Sequence, residues 1–96
     1  MGRVNTEVTI AMPVSVAAGA KSEVGFFDGF TVYVSGMGTA TYQLQISVDG
    51  TNYHNEGSEV TANGVVNVTK AALWARWNCT AWTSGTPVAR VAGFTN

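Results

Sequence analysis

Between residues 41 and 48 the sequence reads TYQLQISV, which puts Tyr42, Leu44, Ile46 and Val48 on one side of an extended backbone and Thr41, Gln43, Gln45 and Ser47 on the other. Alternation of period two sustained over this length makes a half-buried strand and excludes a helix. Asp49-Gly50 follows directly, a pair that tolerates positive φ and marks a tight turn between antiparallel strands. The strand, its turn and the return through Tyr53 set a register that neighbouring segments can copy. The rest of the chain is therefore read as β-structure.

Taken in order, residues 7–12 alternate Val8 and Ile10 with Glu7, Thr9 and Ala11 until Pro13 interrupts them. Proline cannot donate to a ladder, so this strand is expected at an edge or at a change of sheet. Val14 and Val16 extend it, and residues 17–22 read as a loop. Phe26 and Phe27 precede a turn at Asp28-Gly29, after which Phe30, Val32 and Val34 alternate with Thr31, Tyr33 and Ser35. The short loop 36–39 makes strands 30–35 and 41–48 expected antiparallel neighbours. Beyond the Asp49-Gly50 turn come a short strand at 53–56, a break at Gly57-Ser58, a brief pairing near 59–61 and a hairpin-type turn at Asn63-Gly64. Val66 and Val68 then alternate with Val65, Asn67 and Thr69.

The last third holds all three tryptophans. Leu73, Ala75, Trp77, Cys79 and Ala81 form one face, uniformly apolar and expected in the core, while Trp74, Arg76, Asn78, Thr80 and Trp82 form the other. Residues 84–87 turn the chain and 88–94 close it. Seven or eight strands, no helix and turn signals at this spacing describe an all-β fold, an antiparallel β-sandwich of jelly-roll type. The expected core is Phe30, Val32, Val34, Tyr42, Leu44, Ile46, Val48, Leu73, Trp77 and Cys79. One sandwich domain over 7–96 follows a flexible arm over 1–6.

Size and charge then narrow the function. Ninety-six residues make one domain, above the size at which disulfides or metals become obligatory. Charged residues are 11% of the chain, against ~25% in ordinary soluble domains. Its surface must then be Thr, Ser, Asn, Gly and Ala, which is easily desolvated in an assembly. The five basic residues are scattered and form no stripe for phosphates, so nucleic acid is not an expected partner. No apolar run approaches the ~20 residues that span a bilayer, so no membrane partner is expected. A single cysteine allows no internal disulfide.

Catalytic chemistry finds no foothold. His54 is the sole histidine, with no local Ser, Cys or Asp arranged around it, and reads as a rim residue. Cys79 reads as a small buried hydrophobe. Asp28 and Asp49 each precede glycine and read as turn residues that bond their own backbone. No metal set and no cofactor motif is visible, and no enzyme is expected. Trp74, Arg76 and Trp82, on the face opposite Trp77, are the candidate binding residues together with Tyr53. Three readings stay open for them: packing under loops of the same chain, anchoring a protein interface, or presenting a glycan platform. The two tryptophans stand roughly 27 Å apart at ~3.4 Å per residue, which weakens a single shared sugar site.

The run LQISVDGTNYHNEG, followed by LWARWNCTAWTSGTPVARVAGF, resembles small virion proteins of tailed bacteriophages. The shared pattern is Ser-x-Asp-Gly-Thr-Asn-aromatic, a Gly-containing hairpin, an aromatic-x-Arg strand, Gly-Thr-Pro and a closing strand. It covers residues 30–94 and offers nothing for 1–23. Similar sequences occur in capsid decoration (cement) proteins and in other small phage structural subunits. The resemblance implies a structural subunit on the outer capsid surface, made in the host cytoplasm, with the major capsid protein and copies of itself as partners. A head–tail, tail or fibre subunit is the alternative within the particle, and a carbohydrate-binding module the alternative outside it.

Overall fold

The structure, a computed structural model, describes residues 2–3, 8–25, 27 and 29–95. Among the described residues none is helical, and nine strand segments run β1 (Gly2–Arg3), β2 (Val8–Thr9), β3 (Ser22–Glu23), β4 (Gly29–Met37), β5 (Ala40–Ser47), β6 (His54–Asn55), β7 (Gly64–Val68), β8 (Trp74–Trp82) and β9 (Gly85–Thr95). All pair antiparallel, in two sheets. One has the order β1-β9-β4-β7, with β2 also on β9; the other has the order β3-β8-β5-β6. Because β1 meets Phe94–Thr95 and β2 meets Arg90–Val91 along the edge of β9 away from β4, these two fill one lane. The chain is thus a β-sandwich with four lanes in each sheet. Every connection from β2 onward crosses between sheets except β5 to β6, an order consistent with a jelly roll.

Alternation puts the core between the sheets. Phe30, Val32 and Val34 of β4 face Tyr42, Leu44 and Ile46 of β5, with Ala75, Trp77 and Cys79 from β8 and Ala89 and Val91 from β9. Full burial of one large apolar side chain is worth ~1.5–3 kcal/mol, so this layer dominates stability. At its centre Trp77 and Tyr42 are both fully buried and meet edge to face, ring centroids 6.4 Å apart. The Tyr42 hydroxyl donates to the Pro13 carbonyl at 2.6 Å. Burial first, and the neighbouring Cys79 thiol second, push the Tyr42 phenol above its ordinary value. Cys79 is itself buried.

Pro13 falls where its chemistry puts it. β2 lies at a sheet edge, and beyond Pro13 the chain passes to the other sheet. There residues 17–22, expected as a loop, run along β8 instead. The Cys79 amide donates to the Ala17 carbonyl at 2.9 Å and the Gly19 amide to the Trp77 carbonyl at 2.7 Å, before β3 takes up the ladder. Glycine is required at position 19, since an added Cβ would sit 2.7 Å from the Ala11 carbonyl oxygen. Val14 and Val16 lie in exposed bends and do not extend β2. Of the expected arm, Gly2–Arg3 pair with β9 and the remainder lies outside the described residues, as do Phe26 and Asp28 of the expected turn.

Three further expectations are corrected. β4 and β5 are not ladder neighbours: β4 pairs with β7 and β9, and β5 with β6 and β8. Their connection bonds to another crossing loop, the Thr39 carbonyl accepting the amides of Thr83 and Ser84 at 2.8 and 3.2 Å. Gly38 packs so closely there that a Cβ would lie 2.8 Å from the Gly85 Cα. Asn63-Gly64 is likewise no hairpin turn. Neither residue has positive φ, β6 and β7 belong to different sheets, and the Asn63 side chain accepts the Met37 amide at 2.9 Å.

Val48 and Leu73, expected in the core, are 67% and 48% exposed. The β5–β8 ladder ends at the pair Ser47↔Trp74, and both residues lie just past it. Their alternation with the core residues is real, but the sheet ends before they can be covered.

Candidate interaction surface

The outer face of the β3-β8-β5-β6 sheet gathers most of the polar side-chain contacts. Gln45 on β5 pairs with Arg76 on one side and Asn55 on the other. Residues directly opposite in a ladder project to the same face, so the three form a row across the sheet. Arg76 Nε donates to Gln45 Oε1 at 2.8 Å, and Gln45 Nε2 donates to Asn55 Oδ1 at 3.0 Å. The Arg76 guanidinium lies 3.8 Å from the centroid of the Tyr53 ring. One residue pair back along β8, Trp74 carries the Lys21 ammonium 4.7 Å from its ring.

The loop after β5 ties these two stacks together. The Gly50 carbonyl accepts from Lys21 Nζ at 3.3 Å and from the Tyr53 hydroxyl at 3.4 Å. Gly50 has φ +76°, and an added Cβ would meet Lys21 Nζ at 2.9 Å and the Trp74 indole nitrogen at 3.2 Å. Asp49 holds the loop's shape: Oδ1 accepts the amides of Thr51 and Asn52, both at 2.8 Å, and Oδ2 accepts the Asn52 side-chain amide at 2.9 Å. Ser47 Oγ donates to Asp49 Oδ1 and receives the Gly50 amide, each at 2.9 Å. The Asn52 amide first, then the Thr51 amide and the Asn52 and Ser47 side chains, hold the Asp49 carboxyl far below the usual carboxylate range. The expected turn is therefore a wider loop, with Asp49 bonding its own backbone as expected.

Of the four candidate residues, the structure unites Tyr53, Trp74 and Arg76 and separates Trp82. The register slips between Thr41↔Ala81 and Tyr42↔Cys79, leaving Thr80 as the extra residue of a bulge. The bulge reverses the parity of β8. Trp82 therefore pairs with buried Ala40, on the inward side at the far end of the sandwich, and Ala81 is turned out to solvent. Trp82 is 36% exposed, and its indole N–H donates to the Gly85 carbonyl at 3.2 Å. The expected single face holding Trp74 and Trp82 is thus broken by one residue.

Lys21, Gln45 and Asn55 complete the surface and were not among the candidates. Gln45 shares its outward parity with Thr41 and Gln43, a signal present in the alternation. Lys21 and Asn55 arrive from elements whose lane order no local pattern states.

Below this surface two clefts open at the same end of the sandwich. One, of about 320 Å³, is lined by Ile46, Val48, His54, Glu56, Lys70 and Ala71 among others; the second, of about 270 Å³, by Phe27, Val48, Ala71 and Leu73 among others. They share Val48 and Ala71 as a common apolar wall, and Leu73 lines only the second. Lys70 and Glu56 close the first with an ion pair of 3.0 Å. His54 is exposed at its rim. Among the described residues no three His, Cys, Asp or Glu side chains converge as a metal site would require.

No protein-family model matches the chain, and no curated protein does. Among solved structures, the crystal structure of the SPBc2 prophage-derived protein YomS is similar, with a TM-score of 0.70 and 17% sequence identity, over 91% of this chain and 90% of that one. At this identity the likeness is one of fold, and it extends over nearly the whole of both chains.

Proposed function

We propose that the chain is a structural subunit of a tailed-bacteriophage particle, a decoration (cement) protein that binds the outer capsid surface and bridges major capsid subunits. The observation that carries this is the near full-length likeness to a prophage-derived protein, taken with the phage-like run over residues 30–94. The outer face of the β3-β8-β5-β6 sheet suits such a role. Tyr53 and Trp74 are held rigid by Arg76 and Lys21, so docking them costs little side-chain entropy. A glycan platform is less well served, because one face of each ring is already occupied by a cation of the same chain. Sparse charge fits a contact made by packing and backbone hydrogen bonds. Many weak contacts on one lattice hold by multivalency.

Particles with and without the protein test the reading. Those lacking it are expected to form with normal geometry yet release DNA at lower temperature or under osmotic shock. Moderate salt should strip little protein from the complete particle, since screening acts mainly on exposed charge pairs. Finding only a few copies, at one vertex or along the tail, would replace the decoration role with a head–tail, tail or fibre role. Absence from purified particles would sink both.

A further inference from the structure

Four lanes lie at the margins of the two sheets, and three of them share a design. β1 and β2 on one margin, β3 on the second and β6 on the third are each two residues long. Short edge strands with charge or irregular backbone beside them are how soluble proteins keep sheets from pairing with strangers. β3 contains Glu23 next to Lys21, β6 leads into Glu56 and positive-φ Gly57, and β2 runs into Pro13.

β7 breaks that design. Gly64–Val68 runs five residues in unbroken register with β4, from Phe30↔Val68 to Val34↔Gly64, with no bulge, no proline and no charge. Among the described residues no other strand pairs with it and no loop bonds to its free side. Alternate residues of such a strand turn both N–H and C=O away from the sheet. Val65 on its outer side is 57% exposed, beside Tyr33 of β4 at 52%.

We propose that β7 is the surface through which the chain pairs with a second copy of itself, β7 against β7, antiparallel about a two-fold axis normal to the sheet. Directly opposed side chains must share a face, so the two-fold must lie between two copies of one residue and not between copies of sequence neighbours. Centred on Val66, it pairs the whole strand. Val66 faces Val66 of the second copy and extends the half-buried inner stripe, while Val65 faces Asn67 on the outer side. No charge opposes a like charge in this register, because the strand carries none and Lys70 falls opposite Ala62.

A second copy is favoured over a free peptide strand because its β7 is already held extended by β4, so pairing orders almost nothing new. Five residues a side bury well under the ~1,000 Å² typical of a stable interface, so the isolated dimer is weak and suited to a repeated array. This gives a surface to the self-association that the resemblance to phage virion proteins implies. It is tested on the purified chain without a particle, so the two readings fail separately.

Sedimentation equilibrium of the full chain should show a reversible monomer–dimer equilibrium. The variant V65K/N67K places lysines opposite each other twice across the axis and should stay monomeric. V65K/N67E places lysine opposite glutamate twice and should recover the dimer. Hydrogen exchange on the unaltered chain supplies a reading that needs no variant: amides of β7 should gain protection with rising concentration, and those of β3 and β6 should not. A wild-type chain monomeric at its highest soluble concentration, a like-charged variant that still dimerises, a charge-paired variant that does not recover, or protection gained elsewhere instead would each overturn the proposal.

Discussion

The outer faces of the two sheets are finished in opposite ways. On the β3-β8-β5-β6 sheet, Arg76, Gln45 and Asn55 hydrogen-bond in a row, Tyr53 stacks on Arg76, and Lys21 covers Trp74. On the β9-β4-β7 side the exposed residues include Val65, Tyr33 and Val88, and Thr31 Oγ1 to Asn67 Oδ1 at 2.8 Å is a direct side-chain bond between strands. The difference follows from the loops. Residues 49–53 fold over the first sheet and bring backbone carbonyls and an aromatic ring to its surface. The β7 edge leaves the second sheet open on one side. A face that holds its aromatics rigid suits the proposed docking on a capsid surface, whereas an uncharged open edge suits the proposed pairing with a second copy.

The largest expected effect removes what both faces share. Trp77→Ala empties the centre of the layer between the sheets and should cost ~3–5 kcal/mol, enough to unfold a small domain, as chemical denaturation would read. Trp77→Phe should cost clearly less. The Trp77 indole nitrogen has no hydrogen-bond partner among the described residues, and losing an unpaired buried donor offsets part of the lost packing. Equal losses in the two variants would mean that the nitrogen is satisfied and the centre of the core has been misread.

Next in size is a test that separates the faces. Arg76→Ala removes a hydrogen bond to Gln45 and the cation over Tyr53, and should cost about 1–2 kcal/mol. Tyr33→Ala on the opposite face removes an exposed ring and should stay within ~0.5 kcal/mol. Matching losses would erase the contrast drawn between the faces. The double variant Arg76→Ala/Tyr53→Ala should fall short of the sum of its singles, since each removes the same contact.

The strands that sequence alone made legible are those whose alternation runs unbroken between two covering layers. β4, β7 and the central part of β8 bury the residues their period selects, and the edge role of the segment before Pro13 follows from its missing donor. Parity could be read, but lane order could not. Strands 30–35 and 41–48 alternate as a hairpin would, yet the same alternation serves two strands facing each other across a core. Only the long-range ladders, β7 and β9 on one strand and β6 and β8 on the other, decide between these arrangements. Val48 and Leu73 misled because a period does not announce where the covering sheet stops. Trp82 misled because a bulge at Thr80 shifts parity by one without altering the composition of the strand. The Tyr53–Arg76–Trp74 grouping was half legible: its members were named, but their joining through Lys21, Gln45 and Gly50 depends on a loop conformation that Asp49 sets.

The smallest expected effect concerns that loop, and pH isolates it. Asp49 accepts its hydrogen bonds as a carboxylate, and its folded value lies below the ~3.9 of an unfolded aspartate. A lowered value means that the ionised loop stabilises the fold fully above the unfolded value and loses that contribution as pH falls towards the folded one. Asp49→Asn keeps one acceptor oxygen but removes the charge and the titration. The variant should therefore melt slightly lower than the parent by a constant margin from pH 7 to about 5, with the gap narrowing below about pH 4. Because the carboxylate is exposed, solvent screening keeps the margin small, below that of Arg76→Ala. Thermal midpoints of the two proteins across this range check it. A gap that closes already near pH 6, or one that widens in acid, would show that the loop is not held by the Asp49 charge. The order of the Tyr53–Arg76 stack would then need another source.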